Sequence, residues 1–552
     1  RCCSSAASDV YKRQLLMGLT TAPFSASYLA WIALIPLWLF TISHKTTSLT
    51  PGVKNKLKIR NIIVNEKTLI AFIWGFAYHG FSLFWITGIH PMTWMGVPWL
   101  FSLLIAIFCW LFITIWGAIL VTLWSVIFRL FIGSKEIGNS PLPPLTKGGE
   151  AQGMGIKKKT WLNNNLFQSI SRVVFGVAVW CLLELLWNQG DLWWTSLSYT
   201  QSPNNLTILQ LTKLSGYSTV TAAIVAINGI FAESIFVLGV NKKQFSLLIL
   251  TGTLGIILLH LGGFYLYKQP LINDLSKEIN VGIIQGNIPN TIKLYASGWR
   301  KAIEGYTNGY EKLSNQKVDL IITPETALPF DVEYIIKNSS FYSAILKQKV
   351  PVILGAFGSE KRSYTNSLFM MTETGSILSR FDKVKLVPLG EYIPFEDILG
   401  KIINRLSPLD SRLIAGTSDQ IFETPFGQAI TGICYESAFS EHFRRQANAG
   451  GQFIITASNN AHYSEIMPAQ HHAQDVIRAI ETDRWMARAT NTGYSAIVNP
   501  KGDTLWISEM NTYQLHQGTI YPRNSQTLYV KWGDWLTIIL TILSGILWII
   551  DN

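Results

Sequence analysis

The stretch AITGICYESAF, residues 429–439, joins an apolar run to a lone cysteine, Cys434, and then to a glutamate, Glu436. A short apolar run that ends in polar residues is typical of a buried strand. Further runs of this kind are INVGIIQGN (279–287), VDLIITPE (318–325), VPVILGAF (350–357), SLFMMT (367–372), GQFIITASNN (451–460) and YSAIVNP (494–500). Helical patterns lie between several of them, among them HHAQDVIRAIETDRWMARAT at 471–490. Strands that alternate with helices predict an α/β domain with mostly buried sheets over residues 275–530.

The remaining chain has the composition of a membrane protein. Of 552 residues, 49% are hydrophobic and only 14% are charged, and the 20 tryptophans suit a bilayer interface. Crossing a bilayer takes about 20 apolar residues. We expect seven such segments, near 25–43, 68–88, 98–132, 173–193, 217–240, 245–267 and 535–550. They predict an all-α bundle at 15–267 and a C-terminal transmembrane helix at 533–552.

The basic residues predict the orientation of the bundle. The links at 44–67, 133–172 and 241–244 are rich in Lys and Arg, whereas those at 90–98 and 194–216 carry almost no positive charge. Basic links lie on the cytoplasmic side, so residues 268–534 are predicted to lie outside the cytoplasm. The same rule explains most of the net charge of +11, and we therefore predict no nucleic-acid partner.

Two segments are predicted to stand apart from the fold. The opening RCCSSAASDVYKRQ, residues 1–14, resembles neither a helix nor a signal peptide and is interpreted as a ragged or foreign end. Residues 134–160 are polar and rich in Pro and Gly, which favours a flexible cytoplasmic insertion. No Cys pair or Cys/His cluster has zinc-site spacing, so we predict no metal and no disulfide framework.

Three strand-like runs end at residues that suit acyl transfer. VDLIITPE ends in Glu325, AITGIC ends in Cys434, and SILSRF is followed by Lys383, with Glu391 eight residues later. Reactive groups of α/β domains lie at the carboxyl ends of strands. A carboxylate can take the thiol proton, and an ammonium stabilises the thiolate and a later oxyanion. The spacing alone does not bring these groups together, and a buried inert cysteine beside solvated charges fits it equally well.

A family resemblance favours the catalytic interpretation. The motifs TPETALPF (323–330), DKVKLVPLGEYIPF (382–395) and GICYESAF (432–439) follow a multi-span membrane part in this order. Together they resemble the apolipoprotein N-acyltransferases, a membrane-embedded branch of the nitrilase (carbon–nitrogen hydrolase) superfamily. The resemblance implies a four-layer α-β-β-α nitrilase-like sandwich on an all-α multi-span transmembrane bundle.

The resemblance also implies roles for individual residues. Glu325 matches the general base, Lys383 the catalytic lysine and Cys434 the nucleophile. Glu391 matches a second glutamate that supports the lysine and the intermediate, and Glu436 an acidic residue that holds the loop around the nucleophile. From its position, we assign the backbone N–H of Tyr435 to an oxyanion hole.

The implied reaction is ping-pong and requires no cofactor. Cys434 takes the sn-1 acyl chain of a phospholipid, typically phosphatidylethanolamine, and the α-amine of a lipoprotein's N-terminal diacylglyceryl-cysteine then takes the chain as an amide. The implied location is the bacterial cytoplasmic (inner) membrane, with the catalytic domain on the periplasmic side. Extracting an acyl chain from a bilayer costs about 0.8 kcal/mol per CH₂, so the site is expected to open sideways at the outer interface.

Two segments depart from the family pattern. Asn459–Ser464 stands where the family usually has an Asp followed by Trp-Phe-Gly, and Leu294 stands where it often has a Trp. We expect both to lie in loops near the acyl pocket and to affect donor preference. Two other functions remain open: a membrane-tethered nitrilase-type amidase, in which water resolves the thioester, and a transporter or scaffold that only binds ligand.

Four further polar residues have structural interpretations. We expect His471 and His472 to be structural rather than metal-binding. Glu184 is predicted to line the bundle interior, and Glu233 to be exposed near a cytoplasmic helix end.

Overall fold

The computed structural model describes residues 17–42, 66–135, 157–360, 363–392 and 413–551. The predicted foreign end and most of the predicted insertion at 134–160 lie outside these residues. The membrane part consists of the helices Ile35–Ile42, Glu66–Ser82, Trp99–Lys135, Lys157–Gln189, Tyr217–Val237, Lys242–Lys268 and Trp535–Asp551. Shorter helical turns connect them at Ser27–Trp31, Phe84–Ile89, Thr93–Met95, Leu197–Gln201, Leu206–Leu209 and Thr212–Ser215.

Within the described residues, four of the seven predicted segments contain helices long and apolar enough to cross a membrane. They are Trp99–Ile132, Leu166–Gln189, Tyr217–Val237 and Lys242–Lys268. The other three predicted segments contain the shorter helices Ile35–Ile42, Glu66–Ser82 and Trp535–Asp551. Each of the seven predicted segments thus contains a helix.

A buried asparagine accounts for the break in the first apolar segment. Asn228 accepts a hydrogen bond from the Leu34 N–H at 3.0 Å and donates to the Ala30 carbonyl at 2.9 Å. These two backbone groups flank the irregular turn between Trp31 and Ile35. Because unpaired backbone groups are costly in an apolar environment, the side-chain amide makes the interruption tolerable.

The bundle interior differs from prediction in two respects. The tryptophans were assigned to the interface, yet Trp38, Trp74, Trp124 and Trp180 are fully buried in the bundle core. Glu233 was predicted to be exposed and is instead completely buried.

A cation from a neighbouring helix explains the burial of Glu233. The guanidinium of Arg172 lies 2.6 Å from Glu233 Oε2, and Ser169 and Trp38 also donate to this carboxylate. A buried charge needs such partners, and the pair is 61 residues apart in sequence. Glu184 is buried in the interior as predicted, where Ser196 Oγ and the Leu197 N–H donate to it.

From residue 279 the chain forms two six-stranded sheets. The strands are β1 Ile279–Gln285, β2 Leu320–Ile322, β3 Val352–Glu360, β4 Ser363–Met371, β5 Ile377–Asp382, β6 Phe422–Thr424, β7 Gly427–Ile433, β8 Phe453–Ser458, β9 Met486–Thr490, β10 Ala496–Val498, β11 Thr504–Ile507 and β12 Gln514–Ile520. One sheet has the order β12-β1-β2-β3-β4-β5 and the other β11-β10-β9-β8-β7-β6. The central pairs β1–β2, β2–β3, β7–β8 and β8–β9 are parallel, and the outer pairs are antiparallel.

The two sheets pack face to face between two layers of helices. Ile283, Ile322 and Ile353 of the first sheet share one buried cluster with Ile433 and Ile455 of the second. The outer face of the first sheet is covered by Ala296–Ser314, Val332–Asn338 and Ser340–Gln348, and that of the second by Ser440–Asn448 and Ile466–Thr482. The predicted four-layer α-β-β-α sandwich on a helical bundle is confirmed.

The helical pattern at 471–490 was predicted too long. The helix ends at Thr482, where Asp483 takes a left-handed φ of +56°, and Met486–Thr490 forms β9. All five residues of β9 are buried between β8 and β10. A strand buried on both faces shows no period-2 alternation, so periodicity cannot distinguish it from the end of a buried helix.

Candidate active site

Three strands deliver the predicted catalytic residues to one place. Glu325 follows β2, Lys383 directly follows β5, and Cys434 directly follows β7. In the first sheet β2 is parallel to β3, and β5 is antiparallel to β4, which is itself antiparallel to β3. The carboxyl ends of β2 and β5 therefore lie at the same edge, where Glu325 and Lys383 meet.

Lys383 lies between two carboxylates. Its Nζ is 2.9 Å from Glu325 Oε1 and 2.9 Å from Glu391 Oε2, and its side chain is only 1% exposed. Asn366 of β4 donates to both glutamates, at 2.7 Å to Glu325 Oε1 and 2.9 Å to Glu391 Oε1. The backbone N–H of Val387 donates to the other Glu391 oxygen at 2.8 Å. This network fixes both carboxylates against a single ammonium.

Cys434 stands at a sharp turn between a strand and a helical turn. It has a left-handed φ of +52° and begins the 3₁₀ turn Cys434–Ala438 directly after β7. A residue with a side chain at such an angle costs of order 1–3 kcal/mol and persists only where the surroundings hold it. Part of that support is His471, whose Nε2 lies 2.8 Å from the Cys434 carbonyl oxygen.

Glu436 connects the nucleophile turn to the lysine segment. Its Oε1 accepts the Val384 N–H at 2.6 Å and the Lys385 N–H at 3.1 Å, and its Oε2 accepts the Ile433 N–H at 2.6 Å. The residue is fully buried. One carboxylate thus holds the residue before Cys434 and the residue after Lys383.

The ionisation states follow from burial and the neighbouring charges. Burial raises the pKa of the Cys434 thiol to about 12. The charge of Glu325 also raises this pKa, and that of Lys383 lowers it. Burial alone would raise the pKa of Glu325, but Lys383, Lys293 and Asn366 outweigh it and the pKa lies below its ordinary value. Burial would likewise lower the pKa of Lys383, yet Glu325, Glu391 and Cys434 hold it well above its ordinary value. The resting site therefore contains a protonated thiol, an ionised Glu325 and an ammonium.

Tyr435 attaches the nucleophile turn to the membrane bundle. Its phenol oxygen lies 2.7 Å from the Asp191 carbonyl oxygen and 2.9 Å from that of Trp193, which share its single O–H proton, and it accepts the Trp193 N–H at 3.0 Å. Asp191 also accepts from Lys385 and Tyr392, which flank the catalytic segment. The side chain of Tyr435 is thus an anchor; its backbone N–H lies in the first turn after β7.

An aromatic cluster lies beside the nucleophile, between the bundle and the sandwich. Leu83, Trp85, Trp193, Trp194, Tyr217, Ala438, Phe439 and Met467 form its buried part, and Tyr435 and Tyr463 pack against it. We call this set the aromatic cluster. The segment 459–464, which departs from the family pattern, contributes Tyr463, whose ring lies 4.9 Å from that of Trp85.

Sequence reasoning missed three residues of the site. Asn366 has no motif signal, since it is one polar residue in a strand. Asn459 was predicted only to affect donor preference, yet its N–H donates to Glu325 Oε2 at 2.7 Å. Lys293 is 95% buried, and its Nζ donates to the Glu325 carbonyl oxygen at 3.2 Å.

The two adjacent histidines make contacts within the protein. His471 approaches the Cys434 carbonyl, and His472 Nε2 lies 3.0 Å from Thr504 Oγ1. Among the residues that the structure describes, no group of three or more His, Cys, Asp or Glu side chains is arranged to hold a metal ion.

The fold and its family model define the class of the domain. A model described as carbon-nitrogen hydrolase matches residues 280–523, which contain both sheets and the site. A second model, described as the apolipoprotein N-acyltransferase N-terminal domain, matches residues 15–230. Among solved structures, the chain is similar to an amidase of the nitrilase superfamily from Nesterenkonia AN1, at 16% identity and a TM-score of 0.35, over 47% of this chain and 96% of that one.

Relatives over the full length identify the family. An apolipoprotein N-acyltransferase from Nostoc sp. (strain PCC 7120) is 52% identical over 96% of this chain and 97% of its own. One from Synechocystis sp. (strain PCC 6803) is 46% identical over 97% and 98%, respectively. The chain belongs to the apolipoprotein N-acyltransferase family and is an acyltransferase of the carbon–nitrogen hydrolase superfamily. This membership favours the acyltransferase over the amidase and over the transporter or scaffold.

Proposed function

We propose that Cys434, Glu325 and Lys383 transfer an acyl chain from a phospholipid to a diacylated apolipoprotein through a thioester. The observation that carries the proposal is the position of Lys383, buried between Glu325 and Glu391 at 2.9 Å from each. An ammonium held in this way keeps Glu325 ionised beside a protonated thiol. That is the combination which a proton transfer from sulfur to carboxylate requires.

In the first half-reaction, Cys434 attacks the sn-1 ester carbonyl as its proton passes to Glu325. The resulting oxyanion is stabilised by the Lys383 ammonium and the Tyr435 N–H. The ester C–O bond then breaks, Glu325 returns the proton to the departing alkoxide, and a lysophospholipid leaves. The enzyme retains the acyl chain as a thioester on sulfur.

In the second half-reaction, the α-amine of the lipoprotein's diacylglyceryl-cysteine attacks the thioester carbonyl. Glu325 takes a proton from the attacking nitrogen, the C–S bond breaks, and the proton returns to the Cys434 thiolate. The product is an N-acylated lipoprotein and the original thiol. Glu391 and Glu436 touch neither reacting atom in this scheme; they position Lys383 and the nucleophile turn.

The position of the aromatic cluster supports the proposal that the substrate is a lipid. It contains residues of the bundle, such as Trp85 and Trp194, and residues of the domain, such as Phe439 and Met467. A buried apolar region that adjoins both the nucleophile and membrane helices suits an acyl chain that stays in the bilayer while its ester reaches Cys434. We propose phosphatidylethanolamine as donor and the diacylated apolipoprotein as acceptor.

The arrangement of charges supports a location on the periplasmic side of the bacterial cytoplasmic membrane. Lys242 and Lys243 begin the helix Lys242–Lys268, whose opposite end leads into the sandwich, and Arg129 lies in the last two turns of the helix Trp99–Lys135. The sandwich instead contacts the weakly charged link around 193–213, through hydrogen bonds such as Trp194 to Gln470. We propose a bundle at 15–267, a catalytic domain at 275–530 and a C-terminal anchor at 533–552.

A two-substrate assay tests the proposal. The purified protein is incubated with phosphatidylethanolamine and a diacylated lipopeptide, and the products are separated by mass. We expect triacylated peptide and lysophospholipid in equal amounts, and neither from Cys434→Ala. Release of free fatty acid without triacylated peptide would instead indicate an amidase-like hydrolysis.

A further inference from the structure

A second buried lysine lies in the site and has no role in the scheme above. Lys293 ends the helical turn Asn290–Lys293 and is 95% buried. Its ammonium donates a hydrogen bond to the Glu325 carbonyl oxygen, 3.2 Å away. Lys, the longest aliphatic cation, is almost never buried without a functional or paired reason.

The helical turn that carries Lys293 is fixed to the same residues that hold Glu325. Asn459 donates from its backbone to Glu325 Oε2 at 2.7 Å and from its side chain to Asn290 Oδ1 at 3.2 Å. Asn491 accepts the Ile288 N–H at 2.9 Å and donates to Asn459 Oδ1 at 3.0 Å. The segment that ends at Lys293 is therefore bonded to the same residue, Asn459, that donates to Glu325.

The balance of buried charge indicates what this ammonium does. Glu325 and Glu391 contribute two carboxylates, and Lys383 contributes one ammonium. The fully buried Glu436 adds a third carboxylate next to Cys434. Without Lys293, the carboxylates of the site therefore outnumber its ammonium groups by two. An excess negative charge opposes the movement of further negative charge onto the sulfur and the oxyanion. Lys293 reduces this excess to one.

We propose that Lys293 is a positioning residue for acyl transfer, a second buried ammonium that offsets the excess carboxylate and so favours negative charge on Cys434 and the oxyanion. The inference rests on the proposed thioester mechanism. It assigns the two lysines different tasks: Lys383 is clamped between both carboxylates, whereas Lys293 acts through the backbone of Glu325 and through its charge.

The charge of Lys293 is expected to depend on pH within the working range. Burial, against the contributions of Glu325 and Cys434, lowers the pKa of Lys293 to about 8. Lys293 therefore carries its positive charge below about pH 8 and loses it above. His462 also faces this lysine, but burial and Lys293 lower the pKa of His462 to about 4, so this imidazole stays neutral near pH 8.

The test compares the wild type with Lys293→Met, Lys293→Arg and the control Lys301→Met. Lys301 is an exposed lysine of the next helix. The first-turnover rate of Cys434 acylation by phosphatidylethanolamine in detergent micelles is followed by intact mass from pH 6 to pH 10. We expect the wild-type and control rates to fall above about pH 8. Lys293→Met is expected to be about 10- to 100-fold slower at pH 7, without that alkaline decrease.

Lys293→Arg supplies the decisive comparison. A guanidinium stays protonated to a much higher pH than an amine. We expect Lys293→Arg to recover much of the rate at pH 7 and to shift the alkaline decrease in rate to higher pH. A purely structural role of the side chain would not produce that shift. Should Lys293→Met fail to fold, as judged by thermal unfolding, the position of this decrease in Lys293→Arg decides alone.

The possible failures are distinguishable. A wild type that never gains an acyl mass on Cys434 overturns the proposed function, and this inference with it. A wild type that is acylated, with Lys293→Met matching its rate and pH profile, overturns only the role of Lys293. An alkaline decrease that stays at the wild-type pH in Lys293→Arg would also overturn the role of Lys293.

Discussion

At the scale of single residues, the proposed mechanism starts from a protonated Cys434 thiol. Burial raises the pKa of this thiol to about 12, so in the proposed mechanism the proton leaves during the attack itself. Glu325 is the proposed acceptor of this proton, because Lys383 holds the pKa of Glu325 below the ordinary range. The reaction is thus expected to depend on a base rather than on a preformed nucleophile.

The acid side of the pH profile tests this view of Glu325. A carboxylate acts as a base only above its pKa, and an unperturbed Glu titrates at about 4.3. Because the pKa of Glu325 is lowered, we expect the acylation rate to stay constant from pH 7 down to about pH 5 and to fall only below the ordinary Glu range. Glu325→Gln should lower the rate by about 10³-fold at all pH values. A decrease with a midpoint near pH 6 would contradict the assignment.

Removing Lys383 should expose the cost of two buried carboxylates. Lys383→Met leaves Glu325 and Glu391 without their shared cation, and loss of one member of a buried charged group typically costs about 3–5 kcal/mol. We expect Lys383→Met to lower the free energy of unfolding by about that amount and to abolish acylation. Adding Glu391→Gln removes one of the two unpaired charges and should recover part of the stability but none of the activity. Equal stability of the single and double variants would argue against the charge network.

At the scale of structural elements, the nucleophile turn and the lysine segment are attached to the membrane bundle as well as to each other. Glu436 joins the two segments, while Tyr435, Lys385 and Tyr392 all bond to the residues around Asp191. The catalytic edge of the sandwich is therefore positioned by the link that follows the helix Lys157–Gln189.

A matched pair of tyrosines separates this positioning from ordinary stability. Tyr435 pairs its phenol with a backbone carbonyl and N–H of the bundle, and Tyr310 does the same with Val350 inside the sandwich, at 2.6 and 3.1 Å. We expect Tyr435→Phe and Tyr310→Phe to lower the free energy of unfolding by similar amounts, about 1–3 kcal/mol each. Only Tyr435→Phe should also slow acylation, by about tenfold. Equal acylation rates in both variants would mean that the bundle contact does not position the turn.

The elements show what a sequence can and cannot predict. The ends of β2 and β7 were predictable, because a buried apolar run leads directly into the residues of the site. The strand Met486–Thr490 was not, because burial on both faces removes the alternation that marks a strand. Lys293 and Asn366 were missed because their partner, Glu325, lies 32 and 41 residues away, and no local pattern records such a pairing. For the same reason the burial of Glu233 could not be anticipated from its position near a helix end.

At the scale of the whole molecule, the bundle and the sandwich contact each other next to the turn that contains Cys434. Trp85 and Trp194 of the bundle both donate to Gln470 of the domain, at 3.1 and 2.7 Å. The aromatic cluster at this boundary packs residues of both parts next to the turn that contains Cys434.

Site-specific labelling tests the proposed orientation of the bundle and the sandwich. Arg300 is an exposed residue of the sandwich, and Lys243 is exposed at the start of the helix Lys242–Lys268. In cells with a permeabilised outer membrane, we expect a membrane-impermeant maleimide to label Arg300→Cys and to leave Lys243→Cys unlabelled until the cytoplasmic membrane is opened. Cells without an added cysteine provide the background. Equal labelling of both positions before lysis would contradict the orientation.

The central claim is that the sulfur of Cys434 carries the acyl chain between donor and acceptor. The most direct measurement is mass spectrometry of the peptide that contains Cys434. It is made after incubation of the protein with phosphatidylethanolamine, and again after a diacylated lipopeptide is added. We predict a mass gain of one acyl chain on Cys434, removable by neutral hydroxylamine as a thioester is, which disappears as triacylated peptide forms. An acyl chain on any other residue, or one on Cys434 that the lipopeptide leaves in place, would contradict the mechanism.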